Sequence, residues 1–165
     1  MVIKDALVTE KMVTFWNSIF SNFYPCNFVH KGLWFKSSEQ AFMWEKAVHF
    51  KDTEMCIEIL KSVTPKRAKE LGRSVKGFNA EAWSDVSYGI MVEVLQSKFE
   101  QNKGLKAGLL STGNRTLVEG SPKDSLWGVG IHWQDVDCLD PSKWKGQNLL
   151  GKALMEVREA LSNNG

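Results

Sequence analysis

Apolar residues recur at helical spacing along most of the chain, with only short stretches that suit strands. In segments 52–60 and 85–101, apolar side chains repeat four positions apart, which places them on one face of a helix. The same stripe returns in segment 148–161, where Asn148 is a suitable N-cap. The pattern therefore predicts three amphipathic helices, with the long helix at 85–101 in a central position.

Capping signals predict two further helices. Ser37 or Ser38 is suited to begin a helix that runs to about residue 50, because a serine followed by an early Glu or Gln is a known start signal. Thr64 and Pro65 open another helix, which Gly72 closes. A short helix is expected at 105–110.

The predicted strands are few and short. They lie at 12–16, in a hairpin at 27–35 around Lys31 and Gly32, at 116–118 and at 127–132. Strands and helices do not alternate, so the expected class is a helix-rich α+β fold with a small β-sheet. We predict one domain over residues 1–165, with its core at about 13–161. No glycine-rich dinucleotide fingerprint or phosphate-binding P-loop is present.

The charge of the chain is nearly balanced. It has 165 residues, 21 basic and 19 acidic, and a formal net charge of +2. Bulk attraction to nucleic acid is therefore not required, although a local basic pocket is compatible with this balance. Seven Trp and nine Phe are a high aromatic content, and rings in loops form stacking platforms for planar ligands.

The three cysteines are far apart in sequence, and neither they nor the histidines have zinc-ligand spacing. We therefore expect no metal and no cofactor, and the isolated thiols suggest a reducing compartment. The first residues are too polar for a signal peptide, and no apolar run is long enough to span a membrane. The prediction is a cytoplasmic protein with no membrane contact.

Four residues of the predicted helix at 37–50 share one face: Glu39, Phe42, Met43 and Lys46. The acid and the amine are roughly 10 Å apart along the helix axis, with apolar side chains between them. Burying both is costly unless they are paired or used in chemistry. The alternative is that Glu45 and Lys46 are solvated charges, and that Glu39 favours the positive end of the helix dipole.

Segment 112–130 is the second region rich in candidate groups. A short strand delivers Glu119 into a turn of Gly, Ser and Pro, and Asp124 and Trp127 follow. Two carboxylates and an indole can converge there, or the segment is a surface turn with a core Trp. Trp83 lies just before the predicted central helix, as a core anchor or a ligand platform. Arg73 follows the helix terminator and is placed to meet a phosphate.

These residues fall within motifs that resemble those of the NADAR family, the YbiA-like N-glycosidases. The resemblance covers about residues 15–161, with many motifs in the same order. The motifs are FSNFYP at 20–25, SSEQAF at 37–42 with Lys46 and Ala47, LGR at 71–73, Trp83 with Met91, KFEQN at 98–102, LLSTG at 109–113, VEGSPKD at 118–124, WGVG at 127–130 and WKGQNLLG at 144–151.

The resemblance implies a helix-rich α+β domain that cleaves N-glycosidic bonds between ribose and a base. Two substrate classes are associated with the family. One comprises the phosphoribosylamino-pyrimidine intermediates of riboflavin synthesis, and the other is ADP-ribose attached to guanine. The expected partner is thus a small ribosyl phosphate or an ADP-ribosylated guanine. Contact with a single nucleobase of a nucleic acid is also compatible with this resemblance. Oligomeric state stays open.

The resemblance also implies catalytic roles. Glu39 is expected to act as general acid and base or to stabilise the sugar cation, and Lys46 to attack the anomeric carbon and form a Schiff base. In the competing mechanism, Glu39 with Glu119 or Asp124 activates water, and Lys46 only orients phosphate or ribose.

Substrate-binding roles are carried over position by position. Trp83 and Trp127 would hold the base, Arg73 the phosphate, and Asn22 and Asp124 the ribose hydroxyls or base edges. The full set of expected binding residues is Ser21, Asn22, Phe23, Tyr24, Arg73, Trp83, Ser121, Trp127 and Gly128. A non-catalytic module for ADP-ribose or NAD-like ligands would keep Trp83, Trp127 and Arg73 without needing both Glu39 and Lys46.

Overall fold

The computed structural model describes residues 1–164 and confirms the helix-rich α+β class. Its strands are β1 (Ala6–Val8), β2 (Met12–Phe15), β3 (Phe28–His30), β4 (Leu33–Phe35) and β5 (Thr116–Glu119). Its helices are α1 (Ser38–His49), α2 (Thr53–Lys61), α3 (Pro65–Gly72), α4 (Ala80–Gln101), α5 (Lys103–Ser111) and α6 (Leu149–Asn163). Two short 3₁₀ helices, Val136–Leu139 and Pro141–Lys143, precede α6. Within residues 1–164, none of the helices has both the length and the apolar character needed to cross a membrane.

The chain forms two compact units. One contains residues 22–102, and the other combines residues 1–21 with the chain from Lys103 onward. The first holds α1 to α4 and the β3–β4 hairpin, and the second holds α5, α6 and a three-stranded sheet.

The helix boundaries in the 22–102 unit follow capping side chains. Asp52 accepts a hydrogen bond from the Met55 amide at 3.1 Å and caps α2, and Thr64 accepts one from the Arg67 amide at 3.2 Å and caps α3. Helix α4 begins at Ala80, five residues earlier than predicted, because Asn79 Oδ1 accepts the Ala82 amide at 2.9 Å. The position predicted for Trp83 was therefore wrong, since it lies inside the first turns of α4.

The predicted hairpin is confirmed. Strands β3 and β4 pair antiparallel, and the two residues between them, Lys31 and Gly32, have φ of +50° and +81°. Two positive φ values are typical of the tight hairpin turns that match strand twist. Phe28 and Phe35 from these strands pack with Ala41 and Val94 in a buried cluster.

Gln40 fixes the start of α1 against α2. Its side chain is buried, and Oε1 accepts the Lys36 amide at 2.8 Å. Nε2 donates to the carbonyls of Ile59, Leu60 and Ser62 at 3.0, 3.3 and 3.1 Å. Because each of these buried groups needs a partner, this one side chain sets how the first turn of α1 is presented.

The sheet of the other unit has the order β1–β2–β5, with β2 antiparallel to β1 and parallel to β5. Strand β1 was not predicted. The strand predicted at 127–132 was wrong, since that segment forms turns. Asp124 Oδ1 accepts the amides of Leu126 and Trp127 at 2.9 and 2.8 Å, and the Gly130 amide donates to the Asp124 carbonyl at 3.1 Å. These bonds curl the chain where the apolar pattern alone suggested extension.

Asn148 lies at the N-cap position of α6, as predicted, but the capping role expected of its side chain was wrong. Asn148 has φ of +54° and makes no capping hydrogen bond to α6. Its side chain instead accepts the Glu119 amide at 3.0 Å and donates to the Leu117 carbonyl at 2.9 Å. The side-chain amide thus joins the start of α6 to β5, which no local pattern indicates.

The apolar stripe of α6 is confirmed, because all four of its residues are buried: Leu150, Leu154, Val157 and Leu161.

Gly146→Ala is expected to destabilise the protein by about 2–4 kcal/mol, because overpacking a rigid backbone is costly. A Cβ at Gly146 would overlap the carbonyl oxygen of Gly128 and lie 2.7 Å from Ser125 Cα. Gly104→Ala is the matched control, since a Cβ at that position in α5 would have no atom within 4 Å. Urea unfolding followed by Trp fluorescence measures both variants. Equal midpoints would contradict the close approach.

Candidate functional site

The predicted acid and amine lie on α1 in the 22–102 unit. Ser37, rather than Ser38, caps the helix, with Oγ accepting the Gln40 amide at 3.1 Å. Glu39 in the first turn is only 8% exposed, and Lys46, two turns later, is half-buried. The two side chains interact electrostatically. Neither is therefore a freely solvated charge.

Glu45, next to Lys46 in sequence, is a buried and paired carboxylate. The alternative that it is a solvated charge was wrong, because it is 3% exposed and contacts His30 Nε2 and Lys31 Nζ at 2.7 Å each. Although burial alone would raise the pKa of this carboxyl, its hydrogen bonds to His30 and Lys31 bring that pKa below its usual value. Glu45 therefore has a structural partner on each side, and we assign it no part in the chemistry of Lys46.

His30 joins Glu45 to Ser97, with its Nδ1 3.0 Å from Ser97 Oγ. This Ser–His–Glu order resembles a hydrolase triad. Ser97, however, lies inside α4, where the neighbouring backbone amides are used in helical hydrogen bonds. Without free amides to bind an oxyanion, the arrangement serves to satisfy buried polar groups.

The environment of Lys46 lowers its pKa. Burial is the main cause, and the positive charge of Arg73 adds to it, whereas the charge of Glu39 acts in the opposite direction. The result is a pKa below that of an ordinary lysine. At a given pH, a larger fraction of Lys46 than of an ordinary lysine is therefore the neutral amine, which is the form that attacks electrophiles.

The charge of Arg73 acts on Lys46 because α3 approaches α1 closely. A Cβ at Gly72 would overlap Sδ of Met43, which lies on α1 between Glu39 and Lys46. Arg73 is the residue that ends α3, and its side chain is exposed. An exposed guanidinium beside a half-buried amine is a suitable place for a phosphate.

We expect Arg73→Gln to raise the pKa of Lys46 and Glu39→Gln to lower it further, because each removes one charge that acts on the amine. Selective ¹³C-methylation of Lys46 followed by NMR titration measures both shifts without substrate. Arg67→Gln is the control, since Arg67 is on the same helix as Gly72 but pairs with Glu70 at 3.5 Å. Shifts of the same sign in the Arg73 and Glu39 variants would contradict the arrangement.

A cluster of aromatic rings contacts Lys46 through Phe78. Phe42 stacks on Trp83 with ring centroids 5.2 Å apart and planes inclined by 28°. The ring centroid of Phe50 lies 6.2 Å from that of Trp83 and 5.4 Å from that of Phe78. Lys46 Nζ lies 4.4 Å from the centroid of the Phe78 ring. Trp83 is partly exposed, so the cluster offers an indole surface that is connected to the amine through Phe50 and Phe78.

Phe78 was missed in the sequence analysis. The available signal was a glycine followed by an aromatic residue, Gly77 and Phe78, in a short connection between two helices. Gly77 has φ of +74°, a backbone conformation that suits glycine. The contact with Lys46 depends on the packing of this loop against α1, which spacing along the chain does not reveal.

The residues before α1 approach its first turn. The Asn22 carbonyl accepts the Glu39 amide at 3.0 Å. Among the described residues, Asn22 Oδ1 and Ser38 Oγ are buried oxygens with no hydrogen-bond partner. A buried acceptor beside Glu39 is suited to a hydroxyl donor such as ribose or water. Phe23 lies 5.7 Å from Lys69 Nζ, and Tyr24 is half-buried.

The other candidates lie in the second unit. Glu119 ends β5, and its carbonyl accepts the Val129 amide at 3.0 Å. A Cβ at Gly128 would lie 2.9 Å from the Asp124 carbonyl oxygen and 3.2 Å from Ser121 Cβ. One loop thus brings four candidate residues close together: Glu119, Ser121, Asp124 and Gly128. Trp127 in the same loop is half-buried.

Asp124 has a clear structural role in this loop, because one of its carboxylate oxygens accepts the two amides described above. Ser121 is buried in the same unit, as is Ser21, whose amide donates to the Ser18 carbonyl at 2.9 Å. Catalytic and binding roles for these residues stay predictions.

Comparison with known proteins supports the resemblance. The family model described as the NADAR domain matches residues 14–162. The chain is 39% identical over 146 residues to N-glycosidase R617 of Acanthamoeba polyphaga mimivirus, with 86% of each chain covered. It is 34% identical over 143 residues to N-glycosidase YbiA of Escherichia coli, covering 87% of this chain and 81% of that protein.

A third relative is the Riboflavin biosynthesis protein VVA0006 of Vibrio vulnificus, which is 32% identical over 144 residues. The match covers 87% of this chain but 35% of that protein. Among solved structures, the NMR structure of E. coli YbiA superposes with a TM-score of 0.78 at 30% identity, covering 98% of this chain and 90% of that chain.

Proposed function

This chain belongs to the NADAR family, and on that premise we propose that it is an N-glycosidase that hydrolyses the bond between a phosphorylated ribose and a base. We propose the riboflavin-pathway ribosylamino-pyrimidine phosphates as its substrates. The name of the Vibrio relative supports this substrate class, and the names of the mimiviral and E. coli relatives support the reaction.

The observation that carries the proposal is the Glu39–Lys46 pair. An acid that is 8% exposed and a half-buried amine interact on the same helix, and the pKa of the amine is lowered. Cleavage of a glycosidic C–N bond needs a proton for the departing base and a nucleophile or anion for the sugar. The pair supplies both groups, which a binding module would not require.

The reaction proceeds through Lys46. Its neutral amine attacks the anomeric carbon, the C–N bond to the base breaks, and the base leaves with the bonding electron pair and a proton from Glu39. The attack leaves a secondary ammonium on C1, which returns one proton to the Glu39 carboxylate. Glu39 then gives this proton to the ring oxygen as the C–O bond of the ring opens, which leaves an iminium between Lys46 and the open ribose. Water adds to this iminium and releases ribose 5-phosphate, regenerating the amine and the acid.

The direct-water mechanism is less well supported. It needs a second carboxylate to activate water, from Glu119 or Asp124. Asp124 already uses one carboxylate oxygen to accept two backbone amides, so that oxygen is engaged in holding the loop. The lowered pKa of Lys46 does not favour the direct-water mechanism, because a lysine that only orients phosphate is more effective when it is charged.

The substrate fits the groups around Lys46. Trp83 offers a partly exposed indole for the planar base, and Arg73 offers an exposed guanidinium for the phosphate. Asn22 Oδ1 beside the first turn of α1 would accept a hydrogen bond from a ribose hydroxyl.

Parallel turnover assays test the proposal. Wild type, Glu39→Gln and Lys46→Ala are assayed with a phosphoribosylamino-pyrimidine and with ADP-ribosylated guanosine, and release of the base is followed by chromatography. Lys61→Ala is the control, because Lys61 is exposed on α2. We expect pyrimidine release by wild type and the control only. Turnover confined to the guanine substrate would transfer the proposal to that class, and equal activity in all proteins would refute the site.

Calorimetry with ADP-ribose separates an enzyme from a binding module. A module would bind ADP-ribose in all three proteins and release no base from either substrate. Turnover by wild type and its loss in the two variants, with binding retained, is the result expected of an enzyme.

A further inference from the structure

Phe78 presents its ring to the amine of Lys46. The nitrogen lies 4.4 Å from the ring centroid, inside the roughly 6 Å range within which an aromatic face attracts a cation. Phe50 contacts the Phe78 ring at 5.4 Å with the planes inclined by 71°. Phe78 is thus held by an edge contact, and its face is directed at the amine.

The exposure of Phe78 distinguishes it from the other rings. Phe42 is 3% exposed and stacks on Trp83, so it serves the packing of α1 against α4. Phe78 is 48% exposed and contributes less to packing. A half-exposed ring against a reactive amine is accessible to a bound substrate.

Positive charge is present at this position through much of the proposed reaction. It lies on the anomeric carbon as the bond to the base breaks, and then on the iminium formed with Lys46. We infer that Phe78 is a further catalytic residue, whose ring face stabilises the iminium between Lys46 and the opened ribose. This inference rests on the proposed function.

The contact also acts on the resting enzyme. An aromatic face favours an ammonium over a neutral amine, so it opposes the effect of burial on Lys46. Weakening the ring should therefore lower the pKa of Lys46 even without substrate. This provides a readout of the contact that does not depend on turnover.

A fluorination series at Phe78 tests the inference. Replacing Phe78 by mono-, di- and trifluorophenylalanine preserves its approximate shape while progressively weakening the negative face of the ring. Two quantities are measured: the NMR titration of ¹³C-methylated Lys46, and the fraction of enzyme trapped by borohydride at saturating phosphoribosylamino-pyrimidine. The trapped fraction is measured on unmethylated enzyme.

We expect the pKa of Lys46 and the trapped fraction to fall with each fluorine. The ratio of iminium to free enzyme should decrease by about 3- to 30-fold for the trifluoro ring. Phe78→Tyr should retain the wild-type trapped fraction, and Phe78→Leu should reduce it at least as much as the trifluoro ring does. Trp34→Leu is the control, because Trp34 is 70% exposed on β4, and it should change neither quantity.

The outcomes separate this inference from the proposed function. If wild type and all fluorinated proteins are trapped equally, the ring is only a steric wall and the inference is overturned while the lysine route stands. If wild type turns over substrate without any trapped adduct, the lysine route fails and the inference fails with it. A pKa of Lys46 that is unchanged by fluorination overturns the inference irrespective of turnover.

Discussion

Lys46→Arg will lower kcat by about 10³-fold or more, and Lys46→Ala will do the same, because neither variant has an amine that attacks the sugar. Arginine keeps the positive charge of the lysine at any accessible pH but is not a nucleophile. The Arg variant is therefore the decisive one. A lysine that only binds phosphate would be replaced by arginine with little loss.

The pH dependence of wild type supplies a second check on Lys46. For a substrate whose leaving group needs no proton from Glu39, kcat/KM should rise with pH as Lys46 loses its proton, and this rise should lie at a lower pH than for an ordinary lysine because the pKa of Lys46 is lowered. Small primary amines added to Lys46→Ala should restore part of the turnover, and the restored rate should follow the amount of neutral amine. Wild-type-like turnover by Lys46→Arg would contradict the nucleophilic role.

Glu39→Gln is expected to lower kcat by about 10²- to 10⁴-fold, the range typical of a lost general acid. The glutamine retains the size of the side chain but cannot give a proton to the departing base. A substrate whose leaving group needs no protonation should therefore recover most of the rate in this variant. Steady-state kinetics with a natural and an activated substrate measures the difference.

Glu45→Gln is the matched control on the same helix. Glu45 is buried and paired with His30 and Lys31, so its neutral replacement should destabilise folding by about 1–3 kcal/mol. Its kcat should stay close to that of wild type at a temperature where the protein is folded. If Glu39→Gln kept its activity and Glu45→Gln lost it while folded, the two roles would have to be exchanged.

Local signals predicted most of the fold. The caps Ser37 and Thr64, the apolar spacing at 52–60 and the turn at Lys31 and Gly32 act within a few residues. The structure confirms helices and a hairpin at these positions. The failures depended on distant partners or on unrecognised turns. The Asn148 side chain bonds to β5 rather than capping its own helix, and Asp124 curls the segment that was predicted as a strand.

The candidate site shows the same division. Helical spacing alone placed Glu39 and Lys46 on one face, and the electrostatic interaction between them is consistent with that placement. Adjacent residues Glu45 and Lys46 could not be told apart by pattern, since burial of Glu45 depends on the distant His30. The lowered pKa of Lys46 depends in part on Arg73, and its aromatic contact on Phe78, both from segments packed against α1.

The central claim is that Lys46 forms a covalent intermediate with the ribose. It is tested most directly by reducing wild type with borohydride during turnover and mapping the modified peptide. We expect a ribose phosphate adduct on the peptide that contains Lys46, and no adduct when the reductant is added before substrate and then removed. Normal turnover with no adduct, or an adduct on a different lysine only, would contradict the account.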